Sequence, residues 1–358
     1  MLRIILFIVV NGLSGAVQAL AASHGVILQY HHVATDTPAI TSVTPALFRQ
    51  QMTFLRDNGF AVWPLPRLVE HLQADKPVPD GVVVITFDDA YRNIHDNAAP
   101  ILREFGFPFT VFVSTEFVAN RQRGYMTWDD LSALQKLGGT LANHTHRHPH
   151  LLRRLEGESE SAWKARIQSE ITTAEQLLQA HVGDHPRYLA YPYGEANEAV
   201  IAMVQQLGYI GFGQQSGAVD KAALASGMAP RFPFNMHYAD MTEFQHKASS
   251  VPLPVLQLES SPMLWEKAGV PLLRLQLAEQ VQQLSCFASG QGAIKVIRQE
   301  DNWFEVRAKG PIPVGRSRYN CTATLPAADS GLALKPRFYW LSRQWIRKRD
   351  DGSWYPEP

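Results

Sequence analysis

The chain has 358 residues, 46% of them hydrophobic and 18% charged, and Lys plus Arg equals Asp plus Glu at 33 each. That length accommodates a catalytic domain of roughly 200 to 250 residues and a smaller companion. The even charge balance argues against partners that bind by charge, so neither nucleic acid nor an anionic membrane is expected.

Met1-Leu-Arg3 followed by the apolar run Ile4 to Val10 reads as a secretory signal peptide over residues 1–21, with Ala19-Leu-Ala21 supplying small residues for cleavage. The run is short for a span and is interrupted by Asn11, Gly12 and Ser14. Export to a periplasmic or extracellular space is therefore expected, with no stable membrane insertion after cleavage. The chain carries two cysteines, Cys286 and Cys321, which in an exported protein suit a disulfide better than a metal site.

After the leader, Gly25 to Tyr30 reads as a buried strand ending in His31 and His32. Phe48, Met52 and Leu55 recur at helical spacing, with Pro45 in the first turn and Gly59 as the stop. A strand-like Phe60 to Trp63, a helix around Leu68 to Leu72 and a Pro/Gly/Asp loop follow. The next stretch, Val82-Val-Val-Ile-Thr-Phe-Asp-Asp89, reads as a buried strand that delivers two adjacent carboxylates at its C-terminal tip. Adjacent acids repel, so the pair calls for a cation or a shared proton.

Helices at Ala98 to Phe105, Trp128 to Leu137, around Trp163 to Leu178 and Val200 to Leu207 alternate with strands at Phe109 to Val113, Tyr188 to Tyr191 and Tyr209 to Phe212. This alternation implies a parallel sheet or barrel at 22–248. Val251-Pro-Leu-Pro254 reads as part of a linker, 249–264. Residues 265–358 read as a small all-β domain, with strands at 293–297, 303–307 and 337–341, a final hairpin from Trp345 to Gly352, and Cys286 joined to Cys321. Trp303, Tyr339, Trp340 and Trp345 suit its core better than a sugar platform.

His144 and His148 lie four apart in a cluster of four histidines, and Pro149 biases His148 out of a helix. Two imidazoles and a carboxylate are a common ligand set for a catalytic divalent ion. His146 and His150 are expected to be exposed.

Thr86-Phe-Asp-Asp89, His144-Thr-His-Arg-His148-Pro149 and Tyr191-Pro-Tyr-Gly194 stand in an order and at spacings that resemble the polysaccharide deacetylase family (NodB-homology, carbohydrate esterase family 4) over about residues 25 to 240. Tyr30-His-His-Val33 is most similar to the exported branch acting on poly-β-1,6-N-acetylglucosamine. The resemblance implies an α/β fold, a distorted (β/α)7-type barrel, and metal-dependent removal of N-acetyl groups from an N-acetylhexosamine polysaccharide or oligosaccharide. It implies one divalent ion, usually zinc, with cobalt, nickel or manganese able to serve, on Asp89, His144 and His148. Asp88 would be the general base and the backbone N–H of Tyr193 an oxyanion donor. Peptidoglycan, chitin-oligomer or O-acetyl ester deacetylation, or non-catalytic glycan binding, are the competing expectations.

Two positions depart from the family's pattern. Ala190 stands where an arginine commonly orients the base, and the general-acid histidine has no clear match. His237 is the nearest downstream candidate, and His31 and His32 are alternatives.

Overall fold

The computed structural model describes residues 23–356, apart from 239, 279–280, 282, 327–331, 333 and 335. The expected leader lies outside the described residues. Strands rich in β-branched and aromatic residues, buried at most of their positions, pair in parallel, as continuous apolar runs do when both faces are covered. In chain order they are β1 (Val26–Tyr30), β2 (Val82–Phe87), β3 (Phe109–Val113), β4 (Gly139–Asn143), β5 (Tyr188–Ala190), β6 (Ile210–Phe212) and β7 (Phe232–Pro233). β1 to β6 lie side by side in sequence order, and β7 returns to the far side of β1.

Residues 229–233 form a seam between the two ends of this curled sheet. Ala229 exchanges hydrogen bonds with Gly211 and Gly213, both at 2.9 Å, and the Arg231 N–H donates to the Gln215 carbonyl at 3.0 Å. Phe232 and Pro233 then take up register with Leu28 and Gln29 of β1. One short segment thus touches β6 with its first half and β1 with its second, giving the expected barrel its distorted closure.

Helices fill the crossovers where the sequence signals them. Thr44 caps Pro45–Asp57 through its side chain, and Gly106 ends Ala99–Phe105 at φ 66°, a backbone conformation that L side chains disfavour. Thr127 and Asp130 form a reciprocal capping box before Trp128–Lys136. Glu160–Val182 buries Trp163, Ile167, Ile171, Ala174 and Leu178. Among the described residues, no helix is long and apolar enough to cross a membrane.

The C-terminal sheet differs from expectation at two places. Residues 249–264, expected as a linker, contain Val251–Pro252, paired with Phe338–Arg347, and Val255–Ser260, paired with Leu272–Leu277. Val251 and Leu253, which alternate with Pro252 and Pro254, are buried, so this stretch builds the sheet rather than leading to it. Among the described residues, the expected final hairpin does not form as a pair of strands. Trp345 to Arg347 complete the ten-residue strand Phe338–Arg347, which pairs along its length with Gly315–Thr324. Alternating burial along Gly315–Thr324 marks one face turned to a core that holds Tyr319, Trp345 and the disulfide between Cys286 and Cys321.

Barrel and sheet share contacts of both kinds. Arg337 makes a two-pronged ion pair with Asp80, both bonds at 2.7 Å, and donates to the Ser249 carbonyl at 2.8 Å. Met263, Ile346 and Tyr355 are buried in one cluster with Leu189, Tyr191 and Val200 of the barrel.

Candidate active site

The C-terminal ends of the parallel strands gather the chemistry on one rim, as this class of fold does. His31 follows β1, Asp88 and Asp89 follow β2, His144 follows β4, and Tyr193 lies in the turn after β5. Asp89, Thr145, His148 and Tyr193 all have positive φ, at 73°, 68°, 56° and 59°. Non-glycine residues hold such conformations only where surrounding contacts over-determine them.

Those contacts are visible for the histidine loop. Asn143 accepts from the Thr145 N–H at 2.8 Å and donates to the Ile171 carbonyl at 3.0 Å. Glu170, buried on the long helix, accepts from the Arg147 backbone at 2.9 Å and from its guanidinium at 2.6 Å. His146 meets Thr115 Oγ1 at 3.0 Å and is half-buried, while His150 is packed against Tyr193 and Glu195. Both were expected to be exposed. Each instead braces the loop, His146 through Thr115 and His150 through the turn that carries Tyr193 and Glu195.

Asp89 Oδ1 lies 3.3 Å from Nε2 of His144 and 3.3 Å from Nε2 of His148, and one donor atom from each of the three residues falls within 4.8 Å of the others. Asp89 Oδ1 and His144 Nε2 are buried and make no hydrogen bond of good geometry. The other nitrogen of His144, Nδ1, is spent on the Ala190 carbonyl at 2.8 Å, which turns Nε2 toward Asp89. Orphaned donor atoms of this kind, converging from two imidazoles and a carboxylate, fit a divalent cation. Burial pushes the His148 imidazole down to about 4, toward the neutral form that ligates metal. Burial raises the Asp89 carboxyl, but His148 and His144 outweigh it and hold it well below the carboxylate range.

Asp88 faces a different set of partners. Arg231 grips it through Nη1 to Oδ1 at 2.7 Å and Nη2 to Oδ2 at 2.8 Å, and Gln29 adds a bond to Oδ2 at 2.6 Å. Both charged side chains are fully buried. The guanidinium is fixed in turn by the Gly213 carbonyl at 2.8 Å and by the Phe112 ring at 5.0 Å. Burial works to raise the Asp88 carboxyl, but the charge of Arg231, then that of His144, overcomes it and holds the group below its ordinary value.

The missing arginine at Ala190 is thus matched by one arriving from the seam. Sequence reasoning did not identify Arg231 or Gln29. The available signal was Gln29 itself, a polar residue in an otherwise apolar buried strand.

The candidate acids separate by position. The charge of His31 acts on Asp88, Asp89, His148 and His32, which places it at the site. His32 is driven down to about 4 by burial and then by His31, with Asn93 at 2.8 Å from its Nδ1. His237 is exposed after β7, where its backbone N–H bonds Asn235 at 2.9 Å. A row of rings, His32, Tyr91, Tyr125 and Phe117, runs beside Asp89 with successive centroids 3.7, 4.9 and 4.5 Å apart.

The family model described as polysaccharide deacetylase matches residues 75–212. A poly-beta-1,6-N-acetyl-D-glucosamine N-deacetylase of Escherichia coli (strain K12) is 24% identical over 238 residues, covering 56% of this chain and 35% of that protein. One from Staphylococcus epidermidis is 28% identical over 183 residues, covering 50% of this chain and 63% of that protein. The chain therefore spans between about a third and two thirds of these relatives' length. Among solved structures, IcaB from Ammonifex degensii superimposes with a TM-score of 0.55 at 19% identity, over 64% of this chain and 99% of that one. The Streptococcus pyogenes deacetylase PplD does so with a TM-score of 0.55 at 21% identity, over 61% and 95%. At those identities the structural likeness concerns the fold.

Proposed function

We propose that the chain is a member of the polysaccharide deacetylase family, whose model matches residues 75–212, and that it removes N-acetyl groups from an N-acetylhexosamine polysaccharide, with poly-β-1,6-N-acetylglucosamine the first substrate to test. The observation that carries this reading is the division of two adjacent carboxylates: Asp89 lies among ligand imidazoles, and Asp88 is clamped by a buried guanidinium. A purely binding protein has no need to hold an ionised acid beside a cation site.

A divalent ion on Asp89, His144 and His148, zinc by preference and cobalt, nickel or manganese as alternatives, would acidify water and polarise the acetyl carbonyl. Asp88 accepts the proton of the attacking water. Its Oδ1 has Arg231 as a partner and keeps a second lone pair for this task. The Tyr193 N–H donates to the oxygen on which negative charge develops. His31 is the group that delivers a proton to the departing amine as the C–N bond breaks, leaving acetate and a free amino sugar. The row of aromatic rings beside Asp89 offers the faces that pyranose rings pack against. Export is supported by the disulfide between Cys286 and Cys321, which belongs in an oxidising compartment.

The test is acetate release by zinc-loaded protein from β-1,6- and β-1,4-linked N-acetylglucosamine oligomers, with Asp88→Asn alongside. Release favouring the β-1,6 series and abolished by the substitution is expected. A β-1,4 preference would move the substrate to the chitin or peptidoglycan type, and no release from either would overturn the reading.

A further inference from the structure

The turn that carries Tyr193 is held from both domains through one buried carboxylate, Glu195. Its Oε2 meets Nδ1 of His150 at 2.8 Å, while Oε1 accepts from the Tyr355 hydroxyl and lies 3.5 Å from Nη1 of Arg316. His150 lies flat on the Tyr193 ring, with centroids 3.9 Å apart and planes 4° from parallel. The Arg316 guanidinium stands 5.4 Å from the same ring, and the metal-facing His148 meets it at 4.5 Å. Gln344 donates to the Gly194 carbonyl at 2.7 Å, and Arg318 to that of Gln214 at 3.3 Å. Arg316, Arg318 and Gln344 lie on the strands Gly315–Thr324 and Phe338–Arg347, and Tyr355 follows them.

We propose that the C-terminal β-domain is a working part of the site, with Glu195 as the positioning residue through which Tyr355 and Arg316 hold the Tyr193 turn. A carboxylate with no exposure needs several donors to be tolerated, and the barrel supplies only His150 of the three side chains above. The other two come from the second domain. Their grip keeps Tyr193 at φ 59°, a backbone conformation that persists only where surrounding contacts over-determine it. The kinetic consequence rests on the deacetylase reading, whereas the conformational one does not.

The experiment therefore has two arms on full-length Glu195→Gln and Tyr355→Phe. Amide hydrogen exchange over residues 191–195 is measured without metal, and kcat and KM are measured on zinc-loaded protein. Faster exchange at 191–195 is expected, with kcat falling about tenfold to a hundredfold and KM moving by less than about twofold. Arg316→Lys should retain more activity than Arg316→Ala. Tyr355→Phe, which loses only a hydroxyl, carries the test if Glu195→Gln does not fold. Unchanged exchange at 191–195 in the folded variants overturns the inference, as does faster exchange with undiminished kcat. An inactive wild type fails the deacetylase reading instead, and the exchange arm then decides the inference alone.

Discussion

Arg231 and Asp88, 143 positions apart in the chain, close a two-pronged ion pair at 2.7 and 2.8 Å with both side chains fully buried. The fork fixes the carboxylate plane as well as its charge, which a lysine at the same place could not do. The two neighbouring acids thus have separate partners, Arg231 and Gln29 for Asp88 and the two imidazoles for Asp89.

Replacing Arg231 by Gln leaves the burial of Asp88 unopposed by its largest favourable charge, so the carboxyl rises. The acidic limb of kcat/KM should move to higher pH, and Arg231→Lys should move it less. Because the native Asp88 value is depressed, its stabilising contribution is present above the unfolded carboxylate pKa and is lost as pH falls through the folded one. Breaking the buried pair should cost about 3–5 kcal/mol at neutral pH, read by urea unfolding. An acidic limb that stays in place would show that another group governs it.

His148→Ala should lose bound zinc on dialysis, since the substitution leaves one imidazole and one carboxylate of the three-residue set. Asp88→Asn should keep stoichiometric zinc while losing acetate release, at some cost in stability because Arg231 is left buried without its counter-charge. Metal analysis of both proteins decides the assignment. Zinc retained by His148→Ala would mean that the ion is held elsewhere.

His31→Gln should lower kcat by about a hundredfold, as removal of a general acid does. His237→Ala, exposed and bonded locally, should leave kcat within about twofold. The opposite ranking would return the acid role to His237.

A chain ending at residue 248 should fail to give a stable barrel. It lacks Met263, Ile346 and Tyr355, whose burial against Leu189, Tyr191 and Val200 contributes roughly 5–9 kcal/mol, comparable with the whole stability of a domain. It also lacks Arg337, the partner of Asp80. Circular dichroism and a thermal scan of the shortened protein test this. A cooperative transition near that of the full chain would show the domains to be independent.

The barrel was legible because its strands are short apolar runs bounded by turn residues, and the cap at Thr127 and the stop at Gly106 fell where their chemistry put them. The acid pair and the histidine cluster were legible for the same reason: each follows a strand end. Residues 249–264 were misread because Pro252 and Pro254 look like a spacer, yet their apolar neighbours alternate into a core contributed by strands far along the chain. Trp345 to Gly352 suggested a hairpin because turn residues follow, whereas pairing with Gly315–Thr324 continues through Arg347. Arg231 could not be assigned from local pattern, since its place beside Asp88 depends on how the seam closes. Ala190 signalled an absence without indicating what fills it.

The seam also sets an order of maturation. Asp89, His144 and His148 all precede residue 229, so a chain emerging from N- to C-terminus presents every proposed metal ligand before the segment that joins β6 to β1. Asp88 lacks its guanidinium until that segment docks. The clamp on Asp88 is therefore among the last features of the rim to be completed, after the chain on both sides of the seam has been made.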